Sequence, residues 1–328
     1  MRAGVQIFSR DFGTLEDPPR FDWAFLDFRW RAWLGLRAGI IKMPFGLYNE
    51  STDVDAAHLP ILLPQSIYSF VNRDVLLSHR GFALYGYHRL RRGGELEYQT
   101  WAGTLSIPQN ALTLDGATLD SIDTKYVTGA QLFWRPPIDG FRIGATYLRA
   151  SIDFELTLSD ANIAALIAAG VVPPDYKGEL VVSQRPDTWV VASAEYQRGD
   201  WLFAAEYSRA FKHQQTTLPA VLPAFDEDSE RFYGMATYRA SPNIEVGGYY
   251  SVHHVDANDR KGRDPKYPER FYAFQRDLAA TARVDINDHW LWKLELHFMD
   301  GVADLPAATN SDPDRYWGLV LLRTTVTF

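Results

Sequence analysis

Ser251 and His253 come nearest in this chain to a nucleophile beside a general base. Standing two residues apart, they share a face wherever the backbone is extended, but the sequence offers no evident third member to orient the imidazole. His253 and His254 are adjacent, so on a strand they point to opposite faces and do not converge on one metal ion. No G-x-S-x-G, H-E-x-x-H or phosphate-loop pattern occurs. The stretch DANDRKGRD at 256–264 has calcium-loop composition without the spacing or closing Glu of an EF-hand, and reads as a solvated loop. Cysteine is absent, which removes disulfides, thiolate metal sites and cysteine nucleophiles together. Catalysis, a bound metal and a cofactor are not expected.

The remaining charges follow another pattern. In HWLWKLELHFM, Trp290, Trp292, Leu294, Leu296 and Phe298 alternate with Leu291, Lys293, Glu295, His297 and Met299. A helix would scatter those charges round its circumference, whereas a strand gathers them on one side. The closing YWGLVLLRTTVTF behaves alike, with Tyr316, Val320, Leu322 and Val326 on one face and Arg323 on the other. Composition agrees. The 10 Trp, 17 Tyr and 19 Phe exceed what a water-soluble core needs and suit rings gathered at a membrane interface. Mean hydropathy is nevertheless −0.23, and no run approaches the roughly 18 uninterrupted apolar residues of a spanning helix. The best candidate, 161–172, is short and followed by prolines, and reads as a small loop helix. If this chain enters a membrane, it crosses as strands. Its net charge of −8, without a basic stripe, argues against a nucleic-acid partner.

Reading for period two gives about fourteen strands, from 3–9 and 21–31 through to 316–328. Their connections alternate. Those at 29–33, 91–94, 136–140, 197–200, 240–243 and 286–289 are tight, and those at 10–20, 44–79, 108–124, 158–177, 214–227, 257–267 and 300–313 are long. Transmembrane antiparallel β-barrels sort their connections this way, with short periplasmic turns and long extracellular loops. A soluble sandwich has no physical reason to do so. Phe328, ending an alternating strand, resembles the C-terminal signature of outer-membrane proteins.

The expectation is a single all-β transmembrane barrel over 1–328 in the bacterial outer membrane, in contact with its lipids and lipopolysaccharide. An open sheet edge in hydrocarbon would leave N–H and C=O groups unsatisfied at a cost of several kcal/mol each. No signal peptide precedes RAGVQIFSR, and the alternation starts abruptly. That suggests a processed or truncated chain that has lost an upstream hairpin, with about sixteen strands when complete.

Gly39 through Glu50, GIIKMPFGLYNE, resembles the GR-x-K-x-P-F-G-L-Y-N-E stretch of bacterial porin-like proteins related to the phosphate-selective porin group. LPILLPQSIY at 59–68 also fits. Ile41 stands where the family has Arg, so that Arg's role is not carried over. The resemblance is close here and loose elsewhere. It implies a homotrimeric channel with one loop folded into the lumen. With an upstream hairpin lost, 44–79 takes the constriction-loop position, with Asn49, Glu50, Asp53, Asp55, Gln65 and Tyr68 as constriction candidates. The same loop carries an apolar patch (Ile61, Leu62, Leu63, Ile67, Tyr68) unsuited to bare water, so it could instead cap the barrel or pack against a neighbouring subunit.

Turning the more apolar face of each strand to lipid leaves Arg29, Arg37, Arg142, Arg239, Arg283, Lys293 and Arg323 as channel-lining residues, with Arg135 near a turn. The acidic residues on the same faces are Asp27, Glu97, Glu195, Glu206, Glu245, Asp277, Asp285 and Glu295. An outward Arg or Lys at mid-membrane would cost roughly 2–4 kcal/mol. Mixed signs speak against strong phosphate selectivity. The charges either favour anions weakly or neutralise one another across strands and keep the lumen wet. Trp23, Phe25 and Trp101 fall inward too, where they read as packing beneath an inserted loop rather than a slide for sugars. The functional expectation is a passive channel for small polar or ionic solutes. A plugged structural barrel and an outer-membrane hydrolase are the alternatives.

Overall fold

The computed structural model describes residues 1–328 except 13–14, 70–72, 106, 108–115, 306–309, 311 and 328. Phe328 and much of the 108–124 connection thus lie outside the described residues. The first strands are β1 (Arg2–Phe12), β2 (Leu15–Arg31), β3 (Leu34–Lys42), β4 (Ser78–Leu90), β5 (Gly94–Thr104), β6 (Ala117–Arg135) and β7 (Phe141–Leu158). There follow β8 (Glu179–Arg198), β9 (Trp201–Thr216), β10 (Phe225–Ser241), β11 (Ile244–His254), β12 (Phe274–Asn287), β13 (Trp290–Gly301) and β14 (Tyr316–Val326). They form one 14-stranded antiparallel sheet in which each strand pairs with the next in sequence. The fold is a transmembrane β-barrel.

Alternation sets the two faces. Along β13, exposed Trp292, Leu294, Leu296 and Phe298 alternate with buried Leu291, Lys293, Glu295 and His297. The exposed set continues round the outside through Phe28, Leu36, Phe82, Leu132, Tyr147, Val190, Phe203, Tyr250, Leu278 and Val320. A belt of this extent fits hydrocarbon rather than water. Aromatic rings gather beside the short turns: Trp30 lies 6.0 Å from Trp33, Trp201 4.7 Å from Tyr238, and Trp290 6.2 Å from Trp292. That is where amphipathic rings settle between headgroups and tails.

Three expected connections are shorter than the sequence suggested. β1 and β2 continue until only 13–14 separate them, β6 begins at Ala117, and 217–224 joins β9 to β10. Ladder hydrogen bonds persist beyond the apolar belt, where alternation no longer marks a strand. The first connection on the long side is therefore two residues long, an exception to the sorting by parity. The 158–177 connection carries a helix, α1 (Asp160–Ala168), where a short loop helix was expected; Ser159 caps it by accepting from the Asn162 N–H. Ile163 and Leu166 pack it against Leu156, Leu158, Leu180 and Val182.

No pairing joins β14 to β1 among the described residues, so both are edge strands. Fourteen strands allow the two to pair antiparallel.

Candidate functional site

The inner face is not polar throughout, as the strand assignments suggested. Trp101, Val127, Leu148, Trp189, Val191, Tyr233 and Met235 form an apolar inner wall, and Met43, Phe45, Leu63, Ile67 and Tyr68 pack onto it. These last residues belong to the β3–β4 connection, which folds inside the barrel. Trp101 is 2% exposed, and Phe25 packs against the same cluster. Both pack beneath the inserted loop. Trp23 instead donates to Gln6 at 2.6 Å and to Asp53 at 3.2 Å.

Three groups of polar contacts hold the loop. Glu206 of β9 accepts from the Leu47 N–H at 2.8 Å and from Tyr233 Oη at 2.9 Å, and also from the hydroxyls of Tyr68 and Ser193. Glu295 of β13 accepts from the N–H groups of Ile61 and Leu62 at 2.8 and 2.9 Å, and from Thr281 at 2.6 Å. Lys293, two residues earlier, donates to Asp55 Oδ1 at 2.8 Å and to the carbonyls of Asp55 and His58. Burial pushes the Asp55 carboxyl up, but Lys293, Thr325 and Arg323 outweigh it and hold the group below the usual carboxylate range. Lys42 and Trp23 do the same for Asp53 against its burial. Asn49 ties the loop's two ends together, donating to Met43 O at 2.9 Å and Leu76 O at 2.7 Å. Gln65 donates to Leu63 O at 2.7 Å.

Gly46 makes one approach possible. Its φ is +61°, and an added Cβ would lie 2.5 Å from Tyr68 Oη and 2.7 Å from Glu206 Oε1. Its N–H and C=O instead meet Thr146 Oγ1 at 3.3 Å and Gln131 Nε2 at 2.9 Å. Gly46→Ala is expected to cost about 1–3 kcal/mol, read as a lower urea midpoint of the barrel in lipid vesicles. An unchanged midpoint would mean that this approach is not needed.

The expected lining residues all lie on inner faces, mostly in pairs. Arg142 meets Glu195 at 2.8 Å, Arg239 meets Glu245 at 3.4 Å, and Arg283 meets Asp285 at 2.8 Å. Arg135 meets Glu97 at 2.9 Å. Arg37 reaches Asp27 at 3.1 Å and the loop's Glu50 at 3.0 Å, and Arg323 reaches Asp55 at 3.3 Å. Lys293 and Glu295 share a face yet do not neutralise each other, because each is engaged by the loop. Asp277 accepts from Tyr249 Oη at 3.1 Å and contacts His297 Nδ1 at 3.0 Å. Arg29 has no carboxylate partner among the described residues and lies over the rings of Tyr85 and Tyr87, 5.8 and 5.3 Å from their centroids.

Two cavities flank the loop. One of about 340 Å³ is lined by Gln6, Phe8, Asp53, Asp55 and Arg323. The other, of about 570 Å³, faces the short-turn side and is lined by Arg142, Glu195, Arg239, Glu245 and Arg283. His58 and Pro60 line both. The loop thus contributes lining to both spaces.

Ser251 and His253 do share a face, and Asp304, missed in the sequence, contacts His253 Nδ1 at 2.8 Å. The Ser251 hydroxyl, however, donates to Ser66 of the loop at 2.7 Å rather than to the imidazole. No group of three or more potential metal ligands converges among the described residues. Arg231 was also missed, although it lies eight residues from Arg239 on the same strand face and could have been found by extending that assignment.

No family model matches the sequence, and no curated protein matches it. Among solved structures, the chain is similar to the outer-membrane channel DcaP of Acinetobacter baumannii, with a TM-score of 0.54 and 11% identity over 99% of this chain and 80% of that one. It is similar at the same TM-score to an anion-selective porin from Comamonas acidovorans, with 10% identity over 91% and 74% of the two chains. Outer-membrane OmpT of Vibrio cholerae matches at 0.54, with 12% identity over 86% and 71%. The shared property is the fold.

Proposed function

We propose that this barrel is a porin of the bacterial outer membrane, passing small polar or ionic solutes by diffusion beside the 43–77 loop. The observation that carries this reading is the pair of cavities with charged lining that share His58 and Pro60 of the loop, inside a wall whose outer face is apolar. Lumen width is then set by the loop rather than by strand number. In hydrocarbon the β1 and β14 edges must be satisfied, by each other or by further strands.

Selectivity in this reading is weak. In the larger cavity Arg142, Arg239 and Arg283 stand against Glu195, Glu245 and Asp200. Arg29, with aromatic rings and no carboxylate partner among the described residues, tips the short-turn mouth towards anions. The resemblance of Gly39–Glu50 supports kinship with the phosphate-selective group, and a homotrimer in contact with lipopolysaccharide belongs to the same proposal. Strong phosphate selectivity does not, because Ile41 is packed in the apolar cluster where that family carries Arg.

Refolded protein in a planar bilayer should give stepwise conductance, with a reversal potential under a salt gradient that is small and of anion-preferring sign. A second reading, a structural barrel plugged by its own loop, draws on the polar anchors from β9 and β13. Silence from protein shown to be folded and inserted would establish that plug and remove the porin.

A further inference from the structure

The wall is notched where the inserted loop leaves it. β3 parts from β2 after the Ala24–Ile40 pair but stays on β4 as far as the Lys42–Ser78 pair. The chain then turns into the lumen at Met43, and between β2 and β4 a cavity of about 280 Å³ remains. Its lining includes Arg20, Phe21, Asp22, Ile40, Ser78 and Arg80. Arg80 is exposed and makes no hydrogen bond or ion pair among the described residues. The carboxylate in the lining is already engaged, since Arg73 donates to both oxygens of Asp22 at 3.0 and 2.6 Å. The charge of Arg80 is left over, with open space beside it.

The notch faces outwards. The β1–β2 register shifts between Gln6 and Ile7, which puts Phe21 beside Ile7 on the outer face and turns Asp22 inward. Phe21 is 61% exposed. Arg80 shares the outer face of β4 with exposed Phe82 and Leu84. Trp30, in the aromatic cluster beside a short turn, marks one border of the apolar band. Phe21 stands nine residues from it along β2, which at about 3.3 Å per residue and a tilt of about 40° is roughly 23 Å of height. Such bands are about 25 Å tall. The notch therefore lies at the opposite border, at the level of the outer-leaflet headgroups.

We propose that this notch binds a phosphate of an outer-leaflet lipid, the lipid A part of lipopolysaccharide, with an acyl chain lying down the wall over Phe82 and Leu84. The Arg80 guanidinium presents paired N–H donors that match two phosphate oxygens. Phe21 and Ile40 would give a free phosphate ion nothing. They extend the apolar surface that lipid chains already cover, and so favour a phosphate that arrives with a lipid attached. The site rests on the lipid contact proposed above and not on conduction, so a silent barrel leaves it standing.

Native mass spectrometry of the refolded full chain in non-ionic detergent tests it, with diphosphorylated lipid A and the same lipid stripped of phosphate as probes. The unmodified protein should retain lipid A and hold the stripped lipid several-fold more weakly. Arg80→Gln should bring lipid A down to the level of the stripped lipid. Arg149→Gln is the matched control: Arg149 is also exposed beyond an outward apolar run, also lacks a partner among the described residues, and lines no such notch. That variant should bind lipid A as the unmodified protein does. Phe21→Ser, which keeps every charge, should weaken both lipids and guards against a misfolded Arg80 variant. Equal affinity in Arg80→Gln and the unmodified protein, or no change in Phe21→Ser, overturns the site. An equal loss in Arg149→Gln would show that lipid A is held by diffuse positive charge and overturns it too. Displacement of lipid A by an equal concentration of inorganic phosphate overturns the lipid assignment.

Discussion

Replacing Glu206 by Leu is expected to free the first half of the inserted loop and raise single-channel conductance several-fold. The side chain is 3% exposed and serves four donors at once, from Leu47, Tyr68, Tyr233 and Ser193. Leu nearly conserves the volume but accepts nothing. Each buried donor left unsatisfied costs about 1–3 kcal/mol, so the loop has more to gain by leaving than by staying. The barrel wall keeps its ladder, and the variant should still insert. Glu206→Gln retains one acceptor oxygen and should fall between the two. Conductance and urea midpoint both unchanged in Glu206→Leu would show that apolar packing of Phe45 and Ile67 holds the loop without this carboxylate.

Lys293→Met should act on the other side of the lumen. Lys293 is 1% exposed, and its ammonium is the centre to which Asp55 and two loop carbonyls converge. Removing one member of a buried ion pair costs about 3–5 kcal/mol, because the other charge stays behind. The chain can relieve that cost by withdrawing 55–60, which would merge the two cavities at His58.

Acidity should reproduce part of the effect. The Asp55 carboxyl lies below its ordinary value in the folded protein, so its stabilising contribution is present above about pH 4 and disappears as pH falls through the lowered folded value. Channels of the unmodified protein should therefore hold steady from neutral pH to about 4 and become noisy below it. In Lys293→Met the main opposing influence on burial is gone, so the same noise should begin at higher pH. Identical pH profiles for the two proteins would dissociate Asp55 from the loop's seating.

Much of the wall was legible because a strand exposes its two faces separately. In β13, charges at 293, 295 and 297 against Trp292, Leu294 and Leu296 determine which way each residue points once one side is lipid. The same parity placed Arg142, Glu195 and Arg283 inward without any knowledge of their partners. Strand ends were not legible, since backbone pairing of β1 and β2 continues through residues whose hydropathy no longer alternates. The inserted loop was only half legible. Its apolar patch showed that it must be covered, but three kinds of cover satisfied that requirement equally.

The sequence by itself determined an all-β wall with a lipid-facing exterior, because period-two patterning is a local property of neighbouring residues. Which charges neutralise which, and that part of the inner wall is apolar, only the tertiary structure decided. Leu47 and Glu206 stand 159 positions apart and Lys293 and Asp55 stand 238 apart. No local pattern links such pairs. They meet because the sheet curves round a loop that must bury Met43, Phe45 and Tyr68 somewhere, and the inner faces of β5 to β10 are the surface that receives them.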